Sequence, residues 1–299
     1  MHILNNGNNK MEVLKKFKSL LFFTLILCNY SYAQNTSQKT DAEVDGFRDK
    51  VKQVKQDCYK VEQQGENIVL KERYNAHGEY WLKFYDTKGN KIKWNGYNKV
   101  NDSIAFYITI EHNENGLLKA TTRYPNGKVL TWYEYKYNKN SILVNEICKY
   151  KPDSSLEKRT VWKYDDKGNN IESTDYKPGG EQLNKSTFEY DEKGNETACN
   201  IYADDGAVSW VYRWKYDSAG NKTEEGIYDF GGKFLNSKKT FTYDDKGNVT
   251  EEKDFTATES LKTTIDYKYD FDEKGNWTRR TESDDKIPVY ITLREIVYY

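Results

Sequence analysis

Tyr190-Asp191-Glu192-Lys193-Gly194-Asn195 is the stretch on which the fold turns. The pattern Tyr-Asp-x-x-Gly-Asn returns at Tyr85 to Asn90, Tyr164 to Asn169, Tyr216 to Asn221 and Tyr243 to Asn248. Phe replaces Tyr in the copy from Phe271 to Asn276. With weaker copies at Gly116 and Ser141, successive turn positions stand 25 to 28 residues apart, and Gly65 heads one more degenerate copy. A fixed period of roughly 20–50 residues marks a repeat architecture. Asp at the first corner and Gly at the fourth is the residue usage of a type I turn. The Gly then takes the left-handed conformation that closes a hairpin with a bulge.

Working outward from the turn, the flanks alternate with period two. Trp210, Tyr212, Trp214 and Tyr216 share one face of a segment whose other face carries Val211, Arg213 and Lys215. Tyr133, Tyr135 and Tyr137 stand opposite Glu134 and Lys136 in the same way, and Ile265, Tyr267, Tyr269 and Phe271 opposite Asp266, Lys268 and Asp270. This is the signature of a half-buried strand with an aromatic face and a charged face. A more polar strand follows each turn and ends in another aromatic, such as Tyr176, Tyr202, Tyr228 or Phe255. A second turn comes next, as at Pro178-Gly179-Gly180 or Asp204-Asp205-Gly206. Each unit is therefore two strands and two turns, and strands joined only by turns pair antiparallel.

The expected fold class is all-β: tandem ~26-residue two-strand repeats forming a long curled antiparallel β-meander sheet of about sixteen to eighteen strands. The aromatic face would be turned inward by the curl, because sheets twist and large ones do not stay flat. A four-bladed propeller is the weaker alternative. The expected organisation is a signal peptide over 1–33, a polar tether over 34–50 and a repeat array over 51–299. For the leader, Lys15, Lys16 and Lys18 precede the apolar run Leu20 to Cys28, and Ser31-Tyr32-Ala33 puts small residues before Gln34. That is the pattern of a secretory signal, too short to span a membrane. The mature chain is expected to be exported, in the periplasm, on the outer surface or secreted, with no transmembrane span.

Composition narrows the function classes. Of 299 residues, 26 are Tyr, 7 Trp and 12 Phe, so the apolar core must be aromatic. The 46 basic and 47 acidic residues balance to a net charge of −1, which gives no pull toward nucleic acid. Cys58, Cys148 and Cys199 follow the leader, with no Cys-x-x-Cys spacing, so neither a disulfide framework nor a zinc site is implied.

The units resemble bacterial YD repeats, the tandem repeats of the RHS family of secreted proteins, over about residues 58–299. The resemblance rests on the Tyr-Asp-x-x-Gly copies quoted above. It implies a long curled β-sheet that wraps into a shell, and an exported setting; some members of the family are described as sugar-binding. Asn follows the turn Gly here where Arg is frequent in the family, and the array is shorter than a full cocoon. The chain ends Ile291 to Tyr299 in what reads as a last strand, so the fold and the setting carry over and toxin delivery does not.

No catalytic pattern stands out. His77 and His112 have no triad or ligand spacing around them, and no Gly-x-Ser-x-Gly, His-Glu-x-x-His or Walker motif occurs. The Asp-rich turns lack an EF-hand's alternating ligands and distal Glu, so Asp reads as a turn initiator, and no catalytic, metal or cofactor site is expected. The aromatic face is the one candidate site. Trp162, Trp210, Tyr212 and Trp214 could stack on a ligand, and Glu172 and Glu224, nominally on the same face, could bond its hydroxyls. The favoured reading of the same rings is core, because a sheet this poor in Leu, Ile and Val has little else to bury. The expectation is a non-enzymatic scaffold or protein-interaction module of the bacterial envelope, with an unknown protein or glycan partner. The alternative is a carbohydrate-binding module.

Overall fold

A computed structural model describes residues 39–299, apart from 75–79, 99–102, 115, 138–142 and 230. The leader over 1–33, the first residues of the expected tether, His77 and the degenerate turn at Ser141 lie outside the described residues. One helical turn, α1 (Asp41–Val44), comes first. The strands are β1 (Val51–Gln64), β2 (Asn67–Arg73), β3 (Trp81–Tyr85), β4 (Lys91–Tyr97), β5 (Ile104–Asn113), β6 (Gly116–Arg123) and β7 (Val129–Tyr137). They continue with β8 (Val144–Tyr150), β9 (Leu156–Tyr164), β10 (Asn170–Tyr176), β11 (Gln182–Tyr190), β12 (Glu196–Tyr202) and β13 (Val208–Tyr216). Last come β14 (Lys222–Asp229), β15 (Phe234–Tyr243), β16 (Val249–Phe255), β17 (Leu261–Phe271), β18 (Trp277–Asp284) and β19 (Ile287–Tyr298).

From β3 to β19 each strand pairs antiparallel with the next. The sheet does not stop there. β19 pairs with β1 from Val51↔Tyr298 to Lys60↔Tyr290, and β1 pairs with β3 from Gln53↔Phe84 to Gln56↔Trp81. β2 and β3 share one place in the ring, since β2 pairs further along the same edge of β1. The result is a closed 18-strand barrel, which corrects the open curled meander expected from the sequence. The reason is the stagger. Lys163 pairs with Glu172, which pairs with Thr187, whereas the repeat equivalent of Lys163 is Glu189. A line drawn across the strands thus slips two residues at each unit. Traced once round, the slip reaches about 20 residues, which for eighteen strands corresponds to a tilt of roughly 40°. At ~4.8 Å per strand such a ring is roughly 35 Å across its backbone, wide enough to leave a lumen.

The aromatic face is the inner one. The described N-terminal segment lies against it. Charged side chains of the other face stand far into solvent, with Lys163 65% and Lys215 71% exposed. The stagger has the same sign at every regular unit, and with the fixed hand of strand twist it turns the Trp and Tyr positions to the concave side. Ion pairs run round the outside, as in Lys136–Glu146–Arg159 and Lys163–Glu172–Lys185.

The repeat residues explain the hairpins. Gly168 N–H donates to Asp165 C=O at 3.0 Å, and Asp165 N–H to Asn169 C=O at 2.9 Å, a type I turn with Gly168 at φ 84. Asn169 donates its backbone N–H to Asp165 Oδ1 and its side-chain amide to Oδ2, at 2.8 and 2.9 Å. The stagger also explains the Tyr. Pairing of β10 with β11 stops at Glu172↔Thr187, so the Asn170 carbonyl has no strand partner, and Tyr190 donates its hydroxyl to it at 2.8 Å. Tyr137, Tyr164, Tyr216 and Tyr243 do the same for Leu117, Val144, Glu196 and Lys222. In the odd copy with Phe271, Tyr269 reaches back to Val249 at 2.9 Å.

Two apolar clusters line the inside. One gathers Leu117, Tyr135, Val144, Ile147 and Trp162. The other joins Ala42 and Phe47 of the N-terminal segment to Val51, Val54, Trp81 and Tyr85. From Lys39 on, the segment expected to be a tether is therefore packed.

Candidate ligand-binding wall inside the barrel

β13 carries Trp210, Tyr212, Trp214 and Tyr216 along the lumen, all half-buried. The rings of Tyr212 and Trp214 are stacked, with centroids 6.1 Å apart and an interplanar angle of 16°. Across the pair, Trp214 faces Glu225 of β14, and its indole N–H donates to Glu225 Oε2 at 3.1 Å. Lys222 donates to the same oxygen at 2.9 Å and stands 5.4 Å above the Trp214 ring. On the other side, burial pushes the Glu196 carboxyl up to about 7, with Lys222 only partly opposing it. Near neutral pH this wall therefore offers a carboxyl that donates or accepts, a paired carboxylate, an ammonium and a row of aromatic faces.

The six residues singled out from the sequence do not form one site. Trp210, Tyr212 and Trp214 stand together as expected. Trp162 lies on β9 inside the Tyr135–Ile147 cluster, 8% exposed, and serves as core. Glu172 and Glu224 are on the outer face, contrary to the sequence reading. Glu172 pairs with Lys163 and Lys185 at 2.7 and 2.8 Å, and Glu224 with Lys215 at 2.8 Å. The physical reason is a second irregularity just after each turn. Register shifts between Asn170 and Glu172, and between Tyr216↔Lys222 and Lys215↔Glu224, so one extra residue inverts the alternation. Glu225, not Glu224, faces the rings.

Further round the lumen the charges are paired. Lys239 pairs with Glu252 and with Asp254, and Tyr267 donates to Glu252 Oε2 at 3.3 Å. Arg280 pairs with Glu282 at 2.7 Å and covers Tyr267 and Trp277, and Arg294 stacks 3.4 Å from the Trp277 centroid. Among the described residues no group of three His, Cys, Asp or Glu could hold a metal ion. The three cysteines after the leader are buried and form no disulfide with one another. A cavity of about 600 Å³ opens between two neighbouring turns, but its carboxylates Asp217 and Asp244 already accept from Asn221 and Asn248.

No protein-family model and no curated protein matches the sequence. Similar solved structures include a porin-like protein from Bacteroides uniformis ATCC 8492, at TM-score 0.42 and 10% identity over 83% of this chain and 96% of that one. A porin-like protein from Bacteroides vulgatus ATCC 8482 aligns at TM-score 0.35 and 10% identity, over 84% and 99% of the two chains. The Photorhabdus luminescens Tc holotoxin pore aligns at TM-score 0.27 and 12% identity, over 76% of this chain and 16% of that one. These are distant likenesses in β-architecture.

Proposed function

We propose that this chain is an exported, non-enzymatic barrel of the bacterial envelope that works as a binding scaffold, with its ligand held on the lumen wall. The observation that carries the reading is the outer face of the sheet, along which charged side chains are paired and stand in solvent. A barrel wall in lipid needs an unbroken apolar band outside, and a charge at mid-depth there costs about 2–4 kcal/mol. Here Lys163, Glu172, Lys185, Lys215 and Glu224 occupy the outer face of their strands. The reading therefore puts the barrel in an aqueous compartment. Fractionation tests it: the protein should be released by osmotic shock or found in the medium, and remain monodisperse without detergent. Recovery only in detergent-extracted membranes would sink it.

The Trp210–Tyr212–Trp214 row favours one second reading, a carbohydrate ligand. Flat half-buried rings beside Glu225 and Lys222 suit a pyranose, whose C–H face packs on aromatics while its hydroxyls bond carboxylates and ammonium groups. A polysaccharide panel read by tryptophan fluorescence tests this. Trp214→Ala and Glu225→Gln should each remove the response, and Glu224→Ala should leave it unchanged. A panel with no response from the folded wild-type protein would leave the scaffold reading alone.

A further inference from the structure

Among the described residues the ring of Tyr-Asp turns has a gap where β19 meets β1, and the chain fills it with its own N-terminal segment. At three successive turns the Asn looks onto the next one: Asn169, Asn195 and Asn221 Oδ1 lie 3.7, 3.7 and 3.6 Å from where a Cβ on the following turn Gly would stand. After Asn276 no turn follows, because β19 meets β1. There Arg48 takes the place of the missing turn. Its N–H donates to Asn276 Oδ1 at 2.7 Å, and its carbonyl accepts from Asn276 Nδ2 at 2.9 Å. At the other side of the gap, Ala42 N–H donates to Gly89 C=O at 3.0 Å, and Thr40 sits where a side chain on Gly89 would be.

The contacts between these two anchors are those of a peptide in a groove. Three aspartates at four-residue spacing each meet groups of the wall. Asp41 accepts from Lys91 N–H at 2.6 Å and lies 3.4 Å from His112 Nε2. Asp45 is paired with Lys83 and Lys91 at 2.9 and 2.8 Å and accepts from the Tyr85 hydroxyl. Asp49 pairs with Lys274. Between them Phe47 is 3% exposed, edge-on to Tyr85 at 5.9 Å, with Arg294 over its ring at 5.0 Å. Gly46 at φ 82 and Asp49 at φ 65 give the segment its bends. The segment adds no strand to the barrel; its grip is by side chains and a few backbone bonds.

We propose that the groove formed by β3, β4, β19 and the Asn276 turn is a docking site for an acidic peptide bearing one aromatic residue, occupied in cis by residues 40–50 and open to a partner that carries the same chemistry. A cis segment competes with a partner at high effective concentration, so binding in trans is weak until the segment is loosened. The experiment uses the full chain and a fluorescein-labelled synthetic peptide with the sequence of residues 39–50, read by anisotropy. The chain variant Phe47→Ala with Asp45→Asn should bind the wild-type peptide at least about tenfold more tightly than the wild-type chain does. A peptide carrying Asn for Asp41 and Asp45, and Ala for Phe47, should not bind. A folded variant chain that gives no saturable binding overturns the proposal. Hydrogen exchange on the wild-type chain decides independently of whether that variant folds. The amides of Ala42 and Arg48 should exchange well before those in the middle of β11 to β13. Exchange of all of them together, only on global unfolding, would make the segment an inseparable part of the barrel and overturn the proposal as well.

Discussion

At the scale of the residue, each member of the repeat has a separate task. Gly194 supplies a backbone conformation, φ 84, with nothing closer than 3.7 Å to an added Cβ. Gly194→Ala should therefore cost about 1–2 kcal/mol through the backbone alone, while Glu192→Ala in the same turn stays near neutral. Urea unfolding of the pair measures the contrast. Tyr190 does two jobs, since its ring covers the inner wall and its hydroxyl satisfies the Asn170 carbonyl. Tyr190→Phe keeps the ring and should still cost about 1–2 kcal/mol, because a carbonyl left unmet is penalised more than an average hydrogen bond is worth. An unchanged urea midpoint would show that water replaces the hydroxyl. The turn Asp and Gly were legible in the sequence because turn chemistry is local. The need for a hydroxyl on the Tyr was not, because it follows from the stagger between units.

At the scale of the element, the bulge decides which carboxylate belongs to the lumen. Alternation counted straight through the turn assigns Glu172 and Glu224 to the aromatic face, and the extra residue after each turn reverses that assignment. Strand positions before the turn, such as Trp210, Tyr212 and Trp214, were legible because no irregularity interrupts them until Tyr216. Glu225→Ala should shift the tryptophan emission, since Trp214 loses its acceptor, and Glu224→Ala should not. The N-terminal segment has its own signature in pH. Burial alone would raise the Asp45 carboxyl, but Lys83, Lys91 and the bonds from Lys91 and Tyr85 hold it at about 2, below its ordinary 3.8. The folded state then binds fewer protons than the unfolded one, so this contribution is present above pH 3.8 and is lost as pH falls through about 2. It amounts to roughly 2 kcal/mol. Burial pulls Lys83 down to about 8, with Asp45 only partly opposing, so its share has the same slope with pH between about 8 and 10.5. Asp45→Asn should flatten the acid limb in urea midpoints taken between about pH 5 and pH 2. An acid limb identical to wild type would detach Asp45 from acid stability.

At the scale of the whole molecule, closure rests on one long-range event. β1 and β19 pair residues such as Val54 and Ile296 that no local pattern connects. The period and the inward aromatic face could be read from the chain, and the strand count nearly so, with about sixteen to eighteen expected against nineteen among the described residues. Whether the accumulated stagger and curvature bring its two ends together could not, because a small change per unit decides between an open shell and a ring. Ring formation also requires the last contact to wait for most of the others. Pairing of β1 with β19 should thus appear late in refolding, as slow protection of the Glu295 and Val297 amides, which point toward β1 as that of Tyr299 does, behind those of β11 to β13 in pulsed exchange. Simultaneous protection would contradict that order.

A ring has no natural first strand. Tyr299 N–H donates to Lys50 C=O at 3.0 Å and its hydroxyl to Tyr85 C=O at 2.7 Å, so the end of the last strand lies beside the start of the first. A short linker could join Tyr299 to the N-terminal segment, and the gene could then be reopened at any exposed second turn, for instance at Asp204-Asp205-Gly206. Such circular permutants would keep every strand pair of the original. The position at which the polypeptide begins would become a choice of the engineer.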